Sequence, residues 1–414
     1  MTTTLLLQKN ILKHCRYLSG LRHFDKPLRT LTTPIEGKRP KECGLDEAIN
    51  EIKSGENIYL HHACSMPIDL CKALGRHVLK NNLTNIKLPW LKEEFYGKIR
   101  SRTIFICNNI RPLVNKGFAD YIPLFLSDSA RIFDEKAIPV DTALLNLSPP
   151  DKHGFCSLGV NVDLSSPAAR NAKKIIATIN NSQPKTFGDS EIHLSQIDLI
   201  IKNNNNITPI FELPIIESNE QEKLIGKWIA ENLIDNGATL QMGSIPNNLL
   251  NQLKNHQNLG IHTEMISDGI IELINLGPKI NLSGQNCYFL CYGIETILSI
   301  FGRKSFIFRM VAINSAIEVD LTGFGGQVDF IFGASAALDG LGKAIIALPS
   351  RTSKGEPKIV PHCNYVVTEY GIANLWSKTI SQRAYNLIQI AHPNDREMLE
   401  EEAFKRFGFI PTKN

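Results

Sequence analysis

Three stretches of this sequence combine residue types and spacing that could carry chemistry. In Leu259-Gly-Ile-His-Thr-Glu264-Met-Ile-Ser-Asp268 a short apolar strand runs into an acid, and Ile270, Ile271 and Leu273 follow at helical spacing. An acid just past the carboxyl end of a strand stands where α/β sheets bind ligands. Taken alone, Glu264 is equally an exposed loop acid and Asp268 a helix cap. In Ala238-Thr-Leu-Gln-Met-Gly243-Ser244-Ile245-Pro246, followed by Leu249, Leu250 and Leu253, a strand, a tight turn and a helix opened by Pro246 are expected. Free amides at such a helix start suit a phosphate, although an ordinary βα turn has the same pattern and no G-x-G-x-x-G fingerprint is present. The third stretch is Gly323-Phe-Gly325-Gly326-Gln-Val-Asp329, followed by the strand Ala344–Leu348 and the loop Pro349-Ser-Arg351-Thr-Ser-Lys354-Gly355. Clustered glycines let backbone amides close on a ligand oxygen, as an oxyanion hole requires, and Lys354 could meet a phosphate. A glycine-rich turn and a solvated lysine are the plainer alternative.

The elements that must position these residues alternate between helix and strand from about residue 44. Leu45, Ala48, Ile49 and Ile52 share one helix face, with Gly55 as the expected left-handed stop, and Ile58-Tyr59-Leu60 is strand-like. Pro67 opens a helix with Leu70, Cys71, Leu74 and Val78 on its apolar face. Strand-like runs follow at 104–107, 140–147, 175–179 and 197–201. Ser218 with Gln221 reads as a capping box, leading a helix whose apolar positions are Leu224, Ile225, Trp228, Ile229 and Leu233. This alternation predicts an α/β protein with mostly parallel sheets, in two domains: 41–215, closed by the asparagine-rich loop 202–209, and 216–414. His61 and His62 follow a strand and could face a cleft. Asp189 and His193 read as structural or substrate-side, and Glu369 as a packing residue.

Composition narrows the classes. The chain has 414 residues, 43% hydrophobic and 21% charged, which suits a folded globular protein of two domains. Its nine cysteines are scattered without a C-x-x-C pair, so neither a disulfide framework nor a metal site is expected. The net charge of +4 is uneven: Lys9, Lys13, Arg16, Arg22, Lys26 and Arg29 face only Asp25 within residues 1–35, giving that segment +5 and leaving the remainder at −1. A nucleic-acid partner is therefore not expected. No apolar run approaches the roughly 18 residues of a membrane span. The basic, acid-poor first 40 residues, with Leu5, Leu6, Ile11 and Leu12 as apolar positions, read as a mitochondrial targeting segment; a disordered basic tail is the alternative.

Longer motifs occur in chain order: Ser148-Pro-Pro-Asp-Lys-His-Gly-Phe-Cys-Ser-Leu-Gly159, Gly260-Ile-His-Thr-Glu-Met265, Gly323-Phe-Gly-Gly-Gln-Val-Asp-Phe330, Val366-Val-Thr-Glu-Tyr-Gly371 and Ile388-Gln-Ile-Ala-His-Pro393. Over roughly residues 36–410 the chain resembles the acetyl-CoA hydrolase/transferase family of class I CoA-transferases, which includes 4-hydroxybutyrate and mitochondrial acetate:succinate CoA-transferases. The resemblance implies two similar α/β domains with the active site between them and a homodimer. It implies ping-pong transfer of coenzyme A through Glu264, with Gly325 and Gly326 stabilising oxyanions, and Gly243, Ser244, Ile245, Gly326 and Lys354 holding the coenzyme. The substrates implied are acetyl-CoA or another short acyl-CoA and a small acid such as succinate or acetate, with no permanently bound cofactor and no metal, in the mitochondrial matrix. This sequence departs from the family at several places. Gly243-Ser244 stands where a longer Gly-Ile-Gly turn is usual; segments are missing between Gly323 and Phe324 and between His362 and Tyr365; and the first domain is shortened after Leu88. Two further readings therefore accompany transfer: acetyl-CoA hydrolysis, and a degenerate, non-catalytic CoA-binding homologue.

Overall fold

The structure is a computed structural model that describes residues 29–84, 93–106, 110–124, 128–202, 208–210, 218–242, 247–263, 269–275, 309–315, 339–351, 365–375, 378–408 and 410–412. The chain falls into two compact units that divide at residue 212.

In the first unit the strands are β1 Lys41–Glu42, β2 Ile58–Leu60, β3 Ser101–Thr103, β4 Ala119–Tyr121, β5 Thr142–Leu147, β6 Phe155–Ser157, β7 Lys174–Ile179, β8 Glu191–His193 and β9 Leu199–Lys202. Its helices are α1 Leu45–Ile49, α2 Ile68–Lys80, α3 Arg111–Asn115, α4 Arg131–Asp134 and α5 Ser165–Asn171. Five strands form one sheet in the order β1-β9-β7-β5-β2, every pairing parallel. Every residue of β5 is buried, as expected of a central parallel strand covered on both faces. Leu144 and Ile176 meet Leu70 and Leu74 of α2 on one face; Leu145, Leu147 and Ile175 pack with Ala168 and Ala169 of α5 on the other. The period-two alternation of a strand thus feeds two cores.

In the second unit α6 Glu220–Asn232, β10 Thr239–Met242, α7 Asn247–Gln252, β11 Gly260–Ile261, α8 Gly269–Asn275, β12 Met310–Ser315, β13 Lys343–Ala347, β14 Tyr365–Thr368, β15 Gly371–Asn374, α9 Ile380–Ile390 and α10 Arg396–Phe407 follow one another. The sheet order is β11-β10-β12-β13-β14-β15, parallel except for the β14/β15 hairpin. Leu240, Ile261, Val311, Ile313 and Ile345 pack against Ile225, Ile229, Leu250, Leu253 and Ile270; Ile346 and Val366 pack against Leu387 and Ile388 on the opposite face.

The α/β class and the mostly parallel sheets are as expected. Four local readings change. The capping box before α6 sits one residue later than expected: Asn219 Oδ1 accepts from Glu222 N at 2.9 Å and Glu222 Oε2 takes the Asn219 N–H at 3.0 Å, because an asparagine at the N-cap reaches the third helical amide better than Ser218 does from one step further out. The buried stripe of α6 is narrower than the apolar pattern, with Ile225, Ile229 and Leu233 inside while Leu224 and Trp228 stay exposed. The strand expected at 104–107 is instead Ser101–Thr103, which among the described residues pairs with β4 alone. Gly55 has φ +87°, but α1 has already ended at Ile49, so Gly55 turns the chain into β2 and does not cap the helix.

Candidate active site

All the residues to which the sequence assigns chemistry, Glu264, Gly325, Gly326, Gly243, Ser244, Ile245 and Lys354, lie outside the described residues, as do residues 1–28 of the basic segment 1–40. The strands that precede them in the chain are described: β10 before Gly243, β11 before Glu264, β12 before Gly325 and Gly326, and β13 before Lys354. β10, β11, β12 and β13 run parallel, so Met242, Ile261, Ser315 and Ala347 all end at the same edge of the sheet. It is the carboxyl edge, where open α/β sheets place ligands.

Where β10, β11 and β12 end, the polar side chains are buried and uncharged: Gln241, His262, Thr263 and Asn314 are each less than 5% exposed. Asn314 Nδ2 donates to Gln241 Oε1 at 3.0 Å, locking β12 to β10 by an amide pair inside the core. The His262 N–H donates to the Leu240 carbonyl at 2.9 Å and continues the β10/β11 ladder one residue beyond β11. Thr263 Oγ1 accepts the Met242 N–H at 2.9 Å and donates to the Met242 carbonyl at 2.6 Å. Burial pushes the His262 imidazole down to about 4, so it is neutral at physiological pH. Leu249, Leu250 and Leu253 are buried beneath this edge as their spacing predicts, and Ile270 and Leu273 likewise, whereas Ile271 faces solvent.

A second group of contacts fixes the chain as it leaves β13. Glu369 Oε2 accepts the Ser350 N–H at 2.9 Å; Oε1 accepts Ser350 Oγ at 2.7 Å and Gln221 Nε2 at 3.0 Å. The next residue, Arg351, makes a two-pronged pair with Asp395, with Nε to Oδ2 at 2.8 Å and a second bond from Nη2 to Oδ1. Bidentate guanidinium–carboxylate pairs of this kind define direction as well as distance. Glu369, read from sequence as a packing residue, is thus the clamp on the loop that leads to Lys354.

In the first unit, His61 and His62 follow β2. Asn146 N donates to His61 Nδ1 at 3.3 Å, so His61 Nε2 carries the proton and donates to the Asn161 carbonyl at 2.6 Å. Burial lowers this imidazole to about 4. His62 differs. Burial opposes its charge, yet the charge and hydrogen bond of Asp163, 2.6 Å from Nε2, prevail and raise its pKa. Asp163 is lowered in turn: burial works against ionisation, but His62 outweighs it. Tyr59 Oη bridges His62 Nδ1 at 3.1 Å and Ser165 Oγ at 2.8 Å. No spacing in the sequence pointed to Asp163 as the partner of His62. His193 proves structural: its Nδ1 accepts from Ser195 N at 3.2 Å and so caps a short 3₁₀ turn. Among the described residues no group of three histidines, cysteines or acids could hold a metal ion, and no helix is long and apolar enough to cross a membrane.

Comparison with known proteins gives a consistent answer. The sequence profile of the acetyl-CoA hydrolase/transferase N-terminal domain matches residues 40–212, and that of the corresponding C-terminal domain matches residues 302–403. The chain is 38% identical to a succinyl-CoA:acetate/propanoyl-CoA:succinate CoA transferase of Fasciola hepatica, over 97% of this chain and 94% of the relative. It is 37% identical to the 4-hydroxybutyrate coenzyme A transferase of Clostridium kluyveri, over 89% of this chain and 98% of that one. The crystal structure of RipA from Yersinia pestis superposes with a TM-score of 0.77 at 27% identity, covering 89% of this chain and 98% of that one.

Proposed function

This chain belongs to the acetyl-CoA hydrolase/transferase family and is a CoA-transferase, and from that premise we propose that it exchanges coenzyme A between short carboxylic acids, in the acetate:succinate manner, through a glutamyl-CoA thioester on Glu264. The Glu264 carboxylate adds to the thioester carbonyl of the acyl-CoA. Collapse of the tetrahedral oxyanion breaks the C–S bond, releasing CoA thiolate and leaving a mixed anhydride. The thiolate then adds to the glutamyl carbonyl and expels the acyl group as its carboxylate. A second acid enters and runs the same steps in reverse, so the energy of the thioester is conserved.

Amides of Gly325 and Gly326 serve the oxyanions of both halves. Gly243, Ser244, Ile245 and Lys354 hold the phosphates and pantetheine arm, and binding energy from that distant part of the coenzyme lowers the barrier at the carbonyl. Coenzyme A enters as a substrate, and the cycle draws on no resident cofactor. The neutral His262, two residues before Glu264 in the chain, brings no positive charge that would weaken the carboxylate as a nucleophile. The same reading includes a homodimer and, on the strength of the basic leader, a mitochondrial matrix address.

One observation carries the assignment. Glu264 directly follows Thr263, Gly243 directly follows Met242, and Thr263 is hydrogen-bonded to Met242 on adjacent strands. The residues that immediately precede the acid and the coenzyme turn named by the sequence are therefore neighbours at the sheet edge, which supports the reading. The test is the intact mass of the chain after incubation with acetyl-CoA. A CoA adduct on Glu264, absent from Glu264→Gln, is expected; exchange that persists undiminished in that variant refutes the mechanism. Thiol release measured without an acceptor acid distinguishes hydrolysis from transfer.

A second reading, a non-catalytic CoA-binding protein, is favoured by one fact. The alignment with the Fasciola relative runs over 459 positions, 45 more than this chain contains, so at least that many aligned positions have no counterpart here. Calorimetric CoA binding without exchange would select it.

A further inference from the structure

The backbone pairing between β10 and β11 runs Thr239 with Gly260 and Leu240 with Ile261, and the His262 N–H closes on the Leu240 carbonyl. Beyond that pair a regular parallel ladder joins peptide to peptide, and here a side chain enters it. The Met242 N–H goes to the hydroxyl of Thr263, and the same hydroxyl gives its proton to the Met242 carbonyl. A threonine hydroxyl has one donor and two acceptor positions, so one side chain satisfies both backbone groups of one residue. Thr263 is 2% exposed and Met242 5%, which keeps both bonds away from water.

This splice has a consequence for the chain on either side. The Thr263 hydroxyl thereby ties the chain two residues beyond the last β11 ladder pair to the end of β10. We infer that Thr263 is a positioning residue that sets the separation between the Glu264 carboxylate and the Gly243-Ser244-Ile245 turn. The inference rests on the reading of Glu264 as nucleophile. It adds that the bond-forming step depends on a hydroxyl that itself touches no substrate. The neighbouring Gln241–Asn314 pair holds β10 to β12 in the same layer, so the Thr263 bonds act against a fixed support.

The test uses the full chain with Thr263→Val, which keeps shape and loses the hydroxyl, Thr263→Ser, which restores it, and Thr263→Cys, which keeps the size with a weaker donor. Displacing a reacting group by about 1 Å can cost roughly 100-fold. Thr263→Val is therefore expected to lower kcat and the rate of glutamyl-CoA formation together, by about 10- to 100-fold. KM for the acyl-CoA and for the acceptor acid should stay within about threefold of the unaltered chain. Thr263→Ser is expected to recover most of the rate and Thr263→Cys a part of it. Circular dichroism at the assay temperature shows whether each variant is folded; should Thr263→Val fail to fold, the Ser-to-Cys difference carries the test. Adduct formation in Thr263→Val within about twofold of the unaltered chain overturns the inference alone, and so does equal loss in the Ser and Cys variants. Absence of any adduct in the unaltered chain removes the Glu264 reading and the inference with it.

Discussion

His61 follows β2 at the carboxyl edge of the first sheet, and His262 follows β11 at the carboxyl edge of the second; burial holds both imidazoles neutral, with pKa values of about 4. Their surroundings diverge from there. The first edge is closed by an ion pair: His62 and Asp163 neutralise each other, Tyr59 and Ser165 complete the chain of hydrogen bonds, and the Leu164 N–H also goes to Asp163. Around the ends of β10, β11 and β12 the described polar side chains, Gln241, His262, Thr263 and Asn314, are uncharged and tie strands together by amide and hydroxyl groups, while Glu369 and the Arg351–Asp395 pair stand further along, at the β13 end. A carboxylate placed beside the first group would meet a countercharge already in use. One placed beside the second meets dipoles, which position it without lowering its basicity through a full opposite charge. Two sheets of the same class thus present one edge suited to holding itself together and one suited to holding a nucleophile.

The sharpest way to break this contrast is a pair of substitutions. Glu264→Ala should lower exchange by roughly 1,000-fold or more, as removal of a covalent nucleophile does, whereas Asp163→Asn should leave kcat within about threefold. A large fall in kcat for a folded Asp163→Asn chain would place the first edge in the chemistry as well. A smaller effect is expected from Glu369→Ala. Hydrogen bonds to a charged group contribute about 1.5–3 kcal/mol, and releasing Ser350 from Glu369 should raise KM for acyl-CoA roughly tenfold with kcat nearly unchanged; an unchanged KM would detach the β13 loop from coenzyme binding. The smallest effect concerns pH. The pKa of His62 is raised above 6.5, so its contribution to stability is full below that value and is lost as pH rises through the folded pKa. That of Asp163 is lowered below 3.8, so its contribution is present above 3.8 and lost as pH falls through the folded pKa. Both partners contribute fully between about pH 4 and 6.5. The melting-temperature gap between the unaltered chain and His62→Gln should therefore be widest near pH 5 and narrow by pH 9; a gap that grows with pH would show that the pair is not what the substitution removes.

How legible these features are in the sequence depends on their range. Ile58-Tyr59-Leu60, the 142–147 and 174–179 strands, and the buried Leu249, Leu250 and Leu253 follow from local apolar spacing, because each needs only one face to be covered. Glu264 and the glycine clusters stand out by their motifs. The α6 cap falls one residue off, since Ser218 and Asn219 both offer a capping oxygen and only the helix start chooses between them. Leu224 and Trp228 are apolar yet exposed, because the core that would cover them is narrower than the stripe. Nothing local marked Thr263, Asn314 or Ser350, whose polar side chains in sequence look like loop or surface residues.

The order of helices and strands, the basic N-terminal segment, the family motifs and the candidate nucleophile belong to the sequence, for each is a matter of residue type and near-neighbour spacing. The partners belong to the tertiary structure. Thr263 meets Met242 across 21 residues, Ser350 meets Glu369 across 19, and His62 meets Asp163 across 101. Parallel strands that neighbour one another in a sheet are joined by long crossovers, so the sheet order, and with it the identity of every buried polar partner, is set only when the whole layer packs.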